Sequence, residues 1–415
     1  MSSTDVHSLK EQGATQVHGL SCDQISEIKQ LIPGVVIEPG VDPGAYAVNP
    51  GCHVGSVRLT FGELRVMPKL PIARVLFLWS YAFDPKHWRD REVELPKAPG
   101  LINALAHAFG LELERQMRSG LLEDYQRKEE NERTVRGRIR MVEQWVNTLR
   151  QRPEVACTYE EYTADIIENQ LLKEAIRMLR ASLDVDHSSA KILSRCAQEL
   201  LNVSAVRFAT HYVPEVAYRP RSARYRRAIE LARLILSRSS FELDDQEAGF
   251  VRMRGFLFDM NRVFEEFVRT ALREALGLSR NSFGSARSFA SGADLYLDSR
   301  RRVSLEPDLL WKQASRLRFV GDVKYKKLAP SSMPNADIYQ MLAYLVGTEL
   351  DTGMLIYPKS TEEPSDRTVE IPIDGRARRI LVRVIDLESN PERILSKMDV
   401  LAYEIRAIAT TVSRS

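Results

Sequence analysis

Two acidic residues and a lysine lie in a pair of strand-like segments, and this spacing constrains the fold more than any other feature. Asp308 lies in the first segment, and Asp322 and Lys324 lie in the second. Both segments are rich in β-branched, aliphatic and aromatic residues, and a polar break at residues 313–316 separates them. Because side chains alternate along a strand, Asp322 and Lys324 share one face while Val323 points to the core. The pattern predicts a β-hairpin that gathers two carboxylates and a lysine.

This set of groups suits the hydrolysis of a phosphodiester bond. Mg²⁺ prefers carboxylate oxygens, keeps several of its waters and lowers the pKa of a bound water. A lysine beside it, here Lys324, can orient that water or offset the charge that develops on phosphate oxygens. A plainer interpretation also fits, in which the acid and the lysine form a weak surface ion pair.

A helix-like stretch upstream offers a third carboxylate. Residues 261–272 place Phe264, Phe267, Val268 and Leu272 on one apolar stripe, with Glu265 at its border. From there Glu265 can reach a metal held by the hairpin. The alternative is an exposed ion pair between Glu265 and Arg269.

A second helix is predicted after the hairpin, at residues 335–344. Ile338, Met341, Leu342 and Leu345 form its core side. Gln340 and Tyr344 are four residues apart and are expected to share the other face. They are either supporting residues of the site or part of a solvated helix edge.

In this order, Glu, Asp, Asp-x-Lys and Gln-x-x-x-Tyr resemble the PD-(D/E)xK nuclease superfamily and its RecB-like branch. The wider pattern is similar to the McrC family, the nuclease subunit of modification-dependent restriction systems. The motifs that carry this resemblance are Met67-Pro-Lys69-Leu, Arg136-Gly-Arg138-Ile, Tyr162-x-x-Asp165, Asn169-x-x-Leu172-Lys173, Phe264-Glu265-x-Phe267, Pro307-Asp308, Asp322-x-Lys324-Tyr-Lys326 and Asp337-x-Tyr-Gln340-Met-x-Ala-Tyr344.

The resemblance implies a Mg²⁺-dependent endonuclease, for which Mn²⁺ is a possible substitute, that works with a McrB-like AAA+ GTPase on double-stranded, modified DNA. It assigns catalysis to Asp308, Asp322 and Lys324, with Glu265 a further metal or water ligand and Gln340 and Tyr344 in support. Asp308, Asp322 and Glu265 are the expected metal ligands. Lys69, Arg136 and Arg138 are expected to contact the partner.

Arginines cluster at residues 218–227, which hold five arginines, two tyrosines and no acid. Such a cluster can bind DNA phosphates, although a solvated basic loop explains it equally well. The candidate DNA-binding residues are Arg219, Arg221, Arg224, Arg226 and Arg227. The net charge of +3 adds little, because 59 basic residues face 56 acidic ones.

Several other kinds of protein are disfavoured. Four scattered cysteines without C-x-x-C spacing argue against a zinc site or a disulfide framework. No apolar run is long enough to span a bilayer, and a signal-peptide core is missing from the start, so we expect a cytoplasmic protein without membrane contact. The sequence has no P-loop motif, which means that nucleotide hydrolysis must come from a partner.

The chain reads as a multi-domain α+β protein. We expect disorder at residues 1–12, a small β-rich domain for partner docking at 13–69 and a mainly helical connector at 70–241. The remaining residues, 242–415, are expected to form the α/β PD-(D/E)xK (restriction-endonuclease-like) nuclease domain.

Three functions fit these features. The first is the nuclease subunit described above. The second is a non-cutting interaction protein that activates an AAA+ NTPase. The third is a stand-alone repair or RNA-processing nuclease, which would cut without nucleotide or partner.

Overall fold

The computed structural model of the chain describes residues 5–83, 85, 100–182, 185–208, 213–214, 216, 222–238, 255–289, 295–314, 316–326, 328, 334–359, 366–373 and 376–411. The chain packs into two compact units. The first consists of Met1–Gly55, Leu59–Glu94 and Leu257–Ser415, and the second of Ser56–Arg58 and Leu95–Phe256. Helices and several sheets occur together, which confirms a mixed α/β protein with more than one compact part.

The elements have the following bounds. The strands are β1 (Asp5–Lys10), β2 (Thr15–His18), β3 (Val36–Pro39), β4 (Ala45–Asn49), β5 (His53–Arg58), β6 (Gly62–Met67), β7 (Asp124–Glu132), β8 (Arg138–Ile139), β9 (Val155–Thr163), β10 (Gly255–Asp259), β11 (Phe283–Gly284), β12 (Leu309–Gln313), β13 (Arg316–Val323), β14 (Thr352–Pro358), β15 (Arg367–Ile373) and β16 (Arg376–Ile385). The helices are α1 (Cys22–Leu31), α2 (Ile72–Phe83), α3 (Leu101–Met117), α4 (Met141–Leu149), α5 (Ile167–Arg180), α6 (His187–Glu199), α7 (Arg226–Arg238), α8 (Met260–Leu276), α9 (Asn335–Thr348) and α10 (Pro391–Thr411).

A six-stranded sheet in the first unit carries the predicted hairpin. Its order is β11-β12-β13-β14-β16-β15. Strands β12 and β13 pair antiparallel, as the sequence predicts, while β13 and β14 pair in parallel. One side of the sheet packs against α9 through a core that includes Leu310, Val320, Met341, Leu345 and Leu355.

Helix α8 is held in place by its packing against α2. Phe264, Phe267, Val268 and Leu272 are all fully buried, which confirms the predicted apolar stripe. The ring of Phe267 lies 5.6 Å from that of Phe77 and 5.5 Å from that of Tyr81, both on α2. Such aromatic packing fixes the position of Glu265 on the neighbouring side of the helix.

The start of the chain differs from the prediction. Residues 5–10, which we expected to be disordered, form strand β1 and pair in parallel with β6 along its full length. The pairing partner lies more than fifty positions away in sequence, from Asp5↔Gly62 to Lys10↔Met67. Local composition carries no signal for such a long-range contact, and this is why the prediction of disorder is wrong from Asp5 onward.

The second unit combines helices with a small sheet. Strands β7, β9 and β8 form a three-stranded antiparallel sheet in that order, followed and preceded in sequence by helices. Asp186 directly precedes helix α6, and its carboxylate caps the helix by accepting from the main-chain N–H of Ser189 at 2.7 Å. In the described part of the chain, no helix has both the length and the apolar composition to cross a bilayer.

Candidate active site

The hairpin brings Asp308, Asp322 and Lys324 together. Asp308 directly precedes β12, and its Oδ2 accepts a hydrogen bond of 3.0 Å from the main-chain N–H of Val323 on β13. Asp322 is only 1% exposed, and its Oδ2 lies 2.5 Å from the Nζ of Lys324 in an ion pair. The carboxyl groups of Asp308 and Asp322 also contact one another. All three predicted groups therefore meet at the same end of the hairpin.

Asp308 and Asp322 are two acids that lie close together in a partly buried site. Burial raises the pKa of Asp322 above its usual range, the charge of Asp308 raises it further, and Lys324 opposes the shift. Burial works against the ammonium of Lys324, but the two acids more than offset it, so that the pKa of Lys324 is raised as well. The two carboxylates therefore repel one another when both are charged.

Glu265 approaches the same site from α8. Burial raises the pKa of its carboxyl to about 7, with the charge of Asp308 as the next cause. Arg269 lies 3.9 Å from Glu265, measured from Nη2 to Oε2, and its Nε donates to the main-chain carbonyl of Asp308 at 3.2 Å. The predicted ion pair of Glu265 with Arg269 therefore exists, and the same arginine ties α8 to the hairpin.

The two predicted supporting residues on α9 occupy different environments. Gln340 is exposed, whereas Tyr344 is 4% exposed and belongs to the core. The expectation that both lie on the face away from the core is wrong for Tyr344, because its ring packs inward while its hydroxyl turns toward Gln340. Gln340 Nε2 donates to that hydroxyl at 3.0 Å. Burial raises the pKa of Tyr344, followed by the charges of Asp322 and Asp308.

A second acid–lysine pair fixes the start of α9. Lys326 Nζ lies 2.9 Å from Oδ1 and 2.7 Å from Oδ2 of Asp337, which is buried. The hydroxyl of Tyr357 on β14 donates to Asp337 Oδ2 at 2.6 Å. Lys326 and Asp337 belong to the motifs of the sequence, but their pairing was not predicted. The spacing of Lys324 and Lys326, two residues apart directly after β13, is the signal that points to it.

The contacts of Asp308 and Asp322 are compatible with a divalent cation. Asp308 and Asp322 supply hard oxygen ligands in contact with each other, and a cation between them would relieve the repulsion that raises the pKa of Asp322. Mg²⁺ needs only one or two protein carboxylates, because it retains several waters. Among the described residues, no three or more His, Cys, Asp or Glu side chains converge closely enough to surround a metal ion. The two aspartates fit Mg²⁺, and Glu265 as a third ligand stays a prediction.

Comparison with known proteins decides the family. The family model described as "McrBC 5-methylcytosine restriction system component" matches residues 48–358, well over half of the chain. The chain belongs to this family. The motif resemblance to the McrC family is thereby confirmed.

The chain is also similar in fold to solved structures. A half-complex of Thermococcus gammatolerans McrB AAA+ hexamers with bound McrC matches with a TM-score of 0.56 at 17% identity, covering 97% of this McrBC-family chain and 100% of the other. A second structure, the Thermococcus gammatolerans McrBC complex, matches with a TM-score of 0.42 at 16% identity and covers 66% and 89% of the two chains. No curated protein matches in sequence. The first structure shows that the fold is shared over nearly the whole chain.

The structure describes three of the five predicted DNA-binding arginines. Arg219 and Arg221 lie outside the described residues. Arg224 donates to the main-chain carbonyls of Ser119 and Gly120 at 3.2 and 3.1 Å, and so contributes to packing after α3. Arg226 and Arg227 are half-buried at the start of α7. Their role in binding DNA stays a prediction.

The predicted partner-contact residues lie in two places. Lys69 is exposed in the first unit, and its ammonium contacts the side-chain amide oxygen of Gln12. Arg136 and Arg138 lie in the second unit on either side of Gly137, which adopts a φ of +67°. A Cβ at Gly137 would stand 2.4 Å from the carbonyl of Thr158, so glycine is required there. The Arg136 guanidinium lies over the Tyr159 ring, 4.2 Å from its centroid.

Proposed function

We propose that this chain is the Mg²⁺-dependent DNA endonuclease subunit of a modification-dependent restriction system, with a PD-(D/E)xK nuclease domain in its C-terminal part. The observation that carries the proposal is the convergence of Asp308, Asp322 and Lys324, with the two carboxyl groups in contact and the lysine 2.5 Å from one of them. Membership of the McrBC family supports the same conclusion.

In this proposal each residue has a defined task. Asp308 and Asp322 would hold Mg²⁺, and a bound Mg²⁺ would supply a water of lowered pKa for attack on the phosphate. Lys324, kept charged by the two acids, stabilises negative charge on the phosphate oxygens. Glu265, whose pKa is raised to about 7, is suited to take a proton from the attacking water near neutral pH. Tyr344 and Gln340 close the α9 side of the site.

The partner in the proposal is a McrB-like AAA+ GTPase ring, acting on modified double-stranded DNA in the cytoplasm. Support comes from one face of α4 in the second unit, which exposes a row of large apolar side chains. We call this row the α4 surface, and it consists of Met141, Val142, Trp145, Val146 and Leu149. Trp145 is 69% exposed and Leu149 is 80% exposed. Exposed apolar patches of this kind mark surfaces that bind another molecule.

Arg136 and Arg138 precede the α4 surface in sequence, on the strand and turn that lead into the helix. An apolar surface with arginines beside it is typical of a protein-binding face. We therefore propose that partner docking uses the second unit, in place of the docking domain predicted at residues 13–69, and that DNA cleavage belongs to the first unit.

The test uses the chain together with its GTPase partner, a plasmid carrying 5-methylcytosine, GTP and Mg²⁺. Asp322→Asn and Lys324→Ala are each expected to lower the rate of DNA cleavage by at least about 100-fold. Both variants should still stimulate GTP hydrolysis, since neither changes the second unit. Cleavage at the wild-type rate by Asp322→Asn would overturn the proposal and favour a non-cutting activator. Cleavage by the wild-type chain without partner would favour a stand-alone nuclease.

A further inference from the structure

Lys324 lies just beyond the regular part of its sheet. Strand β13 ends at Val323, where the parallel register with β14 also ends at Val323↔Ile356. Beyond that point one main-chain bond continues the pairing, from Lys324 N to the carbonyl of Ile356 at 2.9 Å. The segment that carries the lysine therefore needs support from elsewhere to hold a fixed direction.

That support comes from the N-terminal segment of the same unit. Gln12 Nε2 donates to the main-chain carbonyl of Tyr325 at 2.6 Å, more than three hundred positions away in sequence. The Lys69 ammonium contacts Oε1 of the same amide. Because an ammonium can only donate, it fixes the amide with its oxygen toward Lys69 and its NH₂ toward Tyr325.

The side chain of Tyr325 is held from the same direction. Tyr325 is buried, and its hydroxyl interacts with the carboxylate of Glu11, which is 2% exposed. Glu11 Oε2 accepts from the main-chain N–H of Lys69 at 2.9 Å. The ring of Tyr325 lies 5.7 Å from that of Phe264, the residue before Glu265. Tyr325 thus contacts the N-terminal segment, directly follows Lys324 in the chain, and packs against Phe264 on α8.

The backbone of Gln12 is in an unfavourable conformation. Its φ is +51°, in the left-handed region that glycine and asparagine adopt far more readily than glutamine. Its N–H donates to the carbonyl of Gly51 at 2.7 Å, which holds it there. In this conformation the side chain of Gln12 meets both the Lys69 ammonium and the Tyr325 carbonyl.

We infer that Gln12 is a positioning residue for the nuclease site: its amide, oriented by Lys69, holds the Tyr325 main chain and thereby sets the direction of Lys324. This inference rests on the proposed function, because it concerns how the lysine of that site is aimed. It assigns to Lys69 a role inside the first unit. Gln12 touches neither the metal ligands nor the substrate, and its effect reaches the reaction through Tyr325 and Lys324.

The backbone conformation gives a test that separates positioning from stability. Gln12→Asn suits a positive φ better than the native residue and keeps an amide, but its side chain is one methylene shorter and does not reach Tyr325. Gln12→Gly suits the conformation equally well and removes the amide. Gln151 supplies the matched control, because it is an exposed glutamine at φ +54° in the second unit.

The variants Gln12→Asn, Gln12→Gly and Gln151→Asn are compared with wild type and Asp322→Asn. Each full-length chain is combined with the GTPase partner, methylated plasmid and saturating Mg²⁺. We expect both Gln12 variants to cleave at least about tenfold more slowly in a single turnover, because a small misplacement of a catalytic group has a large kinetic effect. Their melting temperatures, the KM for DNA and the stimulation of GTP hydrolysis should match wild type, and Gln151→Asn should match it in every measurement.

The outcomes distinguish the inference from the proposed function. If both Gln12 variants cleave at the wild-type rate while Asp322→Asn does not cleave, the positioning role is refuted and the proposed function stands. If cleavage falls only in proportion to a loss of folded protein, the role of Gln12 is structural and the inference is again refuted. If Asp322→Asn cleaves normally, the proposed function itself has failed.

Discussion

Asp308 Oδ2 accepts a hydrogen bond of 3.0 Å from the main-chain N–H of Val323, the residue that follows Asp322. This bond ties the residue before β12 to the end of β13 and turns the Asp308 side chain toward Asp322. Without it, the two carboxyl groups would be free to move apart. The hairpin therefore keeps two acids in contact, and the ammonium of Lys324 opposes their mutual repulsion.

Replacing Asp308 by asparagine is expected to stabilise the metal-free protein. The charge of Asp308 raises the pKa of both Asp322 and Glu265, whereas an asparagine oxygen still accepts from Val323. In the presence of EDTA, the free energy of unfolding should rise by about 1 kcal/mol at pH 8. Urea unfolding measures the change, with the exposed Asp399→Asn on α10 as a control that should have no effect. A lower stability of Asp308→Asn would contradict this account of the pair.

The capping aspartate of α6 predicts a pH dependence of stability in the second unit. The N–H of Ser189, the amide of Asn103 and the hydroxyl of Ser188 all donate to Asp186, and together they hold its pKa well below the usual range. Since the pKa is lowered by folding, the stabilisation is present above the unfolded pKa of about 3.9 and is lost as the pH falls toward the folded value.

Two variants separate the charge from the cap. Asp186→Ala removes both and should lower the free energy of unfolding at pH 7 by about 1 kcal/mol. Asp186→Asn keeps a capping oxygen without a titrating group, so the stability difference between wild type and Asp186→Asn should shrink between pH 5 and pH 2. Urea titrations across this range provide the measurement. A difference that stays constant with pH would show that the charge of Asp186 contributes nothing.

The α4 surface predicts a variant that loses the partner without losing the fold. Leu149 is 80% exposed on α4, and Leu201, which is 73% exposed in the same unit but outside α4, is a matched control. Leu149→Ala should weaken binding of the GTPase ring by about 1 kcal/mol or more, while neither change should alter the melting temperature. Calorimetric titration of each chain with the ring gives the affinity. Equal losses for both leucines would place the docking face elsewhere.

The sequence predicts the local part of the site well and its long-range part poorly. The hairpin, the buried stripe of α8 and the core residues Met341 and Leu345 of α9 follow from periodicity, which depends on residues close in the chain. The meeting of Asp308, Asp322 and Lys324 follows from the same hairpin.

Contacts that join distant segments were missed. Strand β7 has the sequence DYQRKEENE, whose charges do not suggest a strand, and it exists because β9 pairs with all of it. The prediction for Tyr344 is wrong because its ring packs in the core while its hydroxyl accepts a hydrogen bond from the Gln340 amide. The bond from Gln12 to Tyr325 left no pattern in the sequence, since a lone glutamine carries no motif.

We propose that Asp308 and Asp322 together hold one divalent cation. Titration of Mn²⁺ into the full-length chain, followed by calorimetry at pH 7.5, tests it most directly, with Asp308→Asn, Asp322→Asn and the control Asp399→Asn treated in the same way. We predict one site in wild type and in Asp399→Asn, and a loss of affinity of at least about tenfold in each of the other two variants. Mn²⁺ affinity in Asp322→Asn equal to that of wild type would contradict the claim.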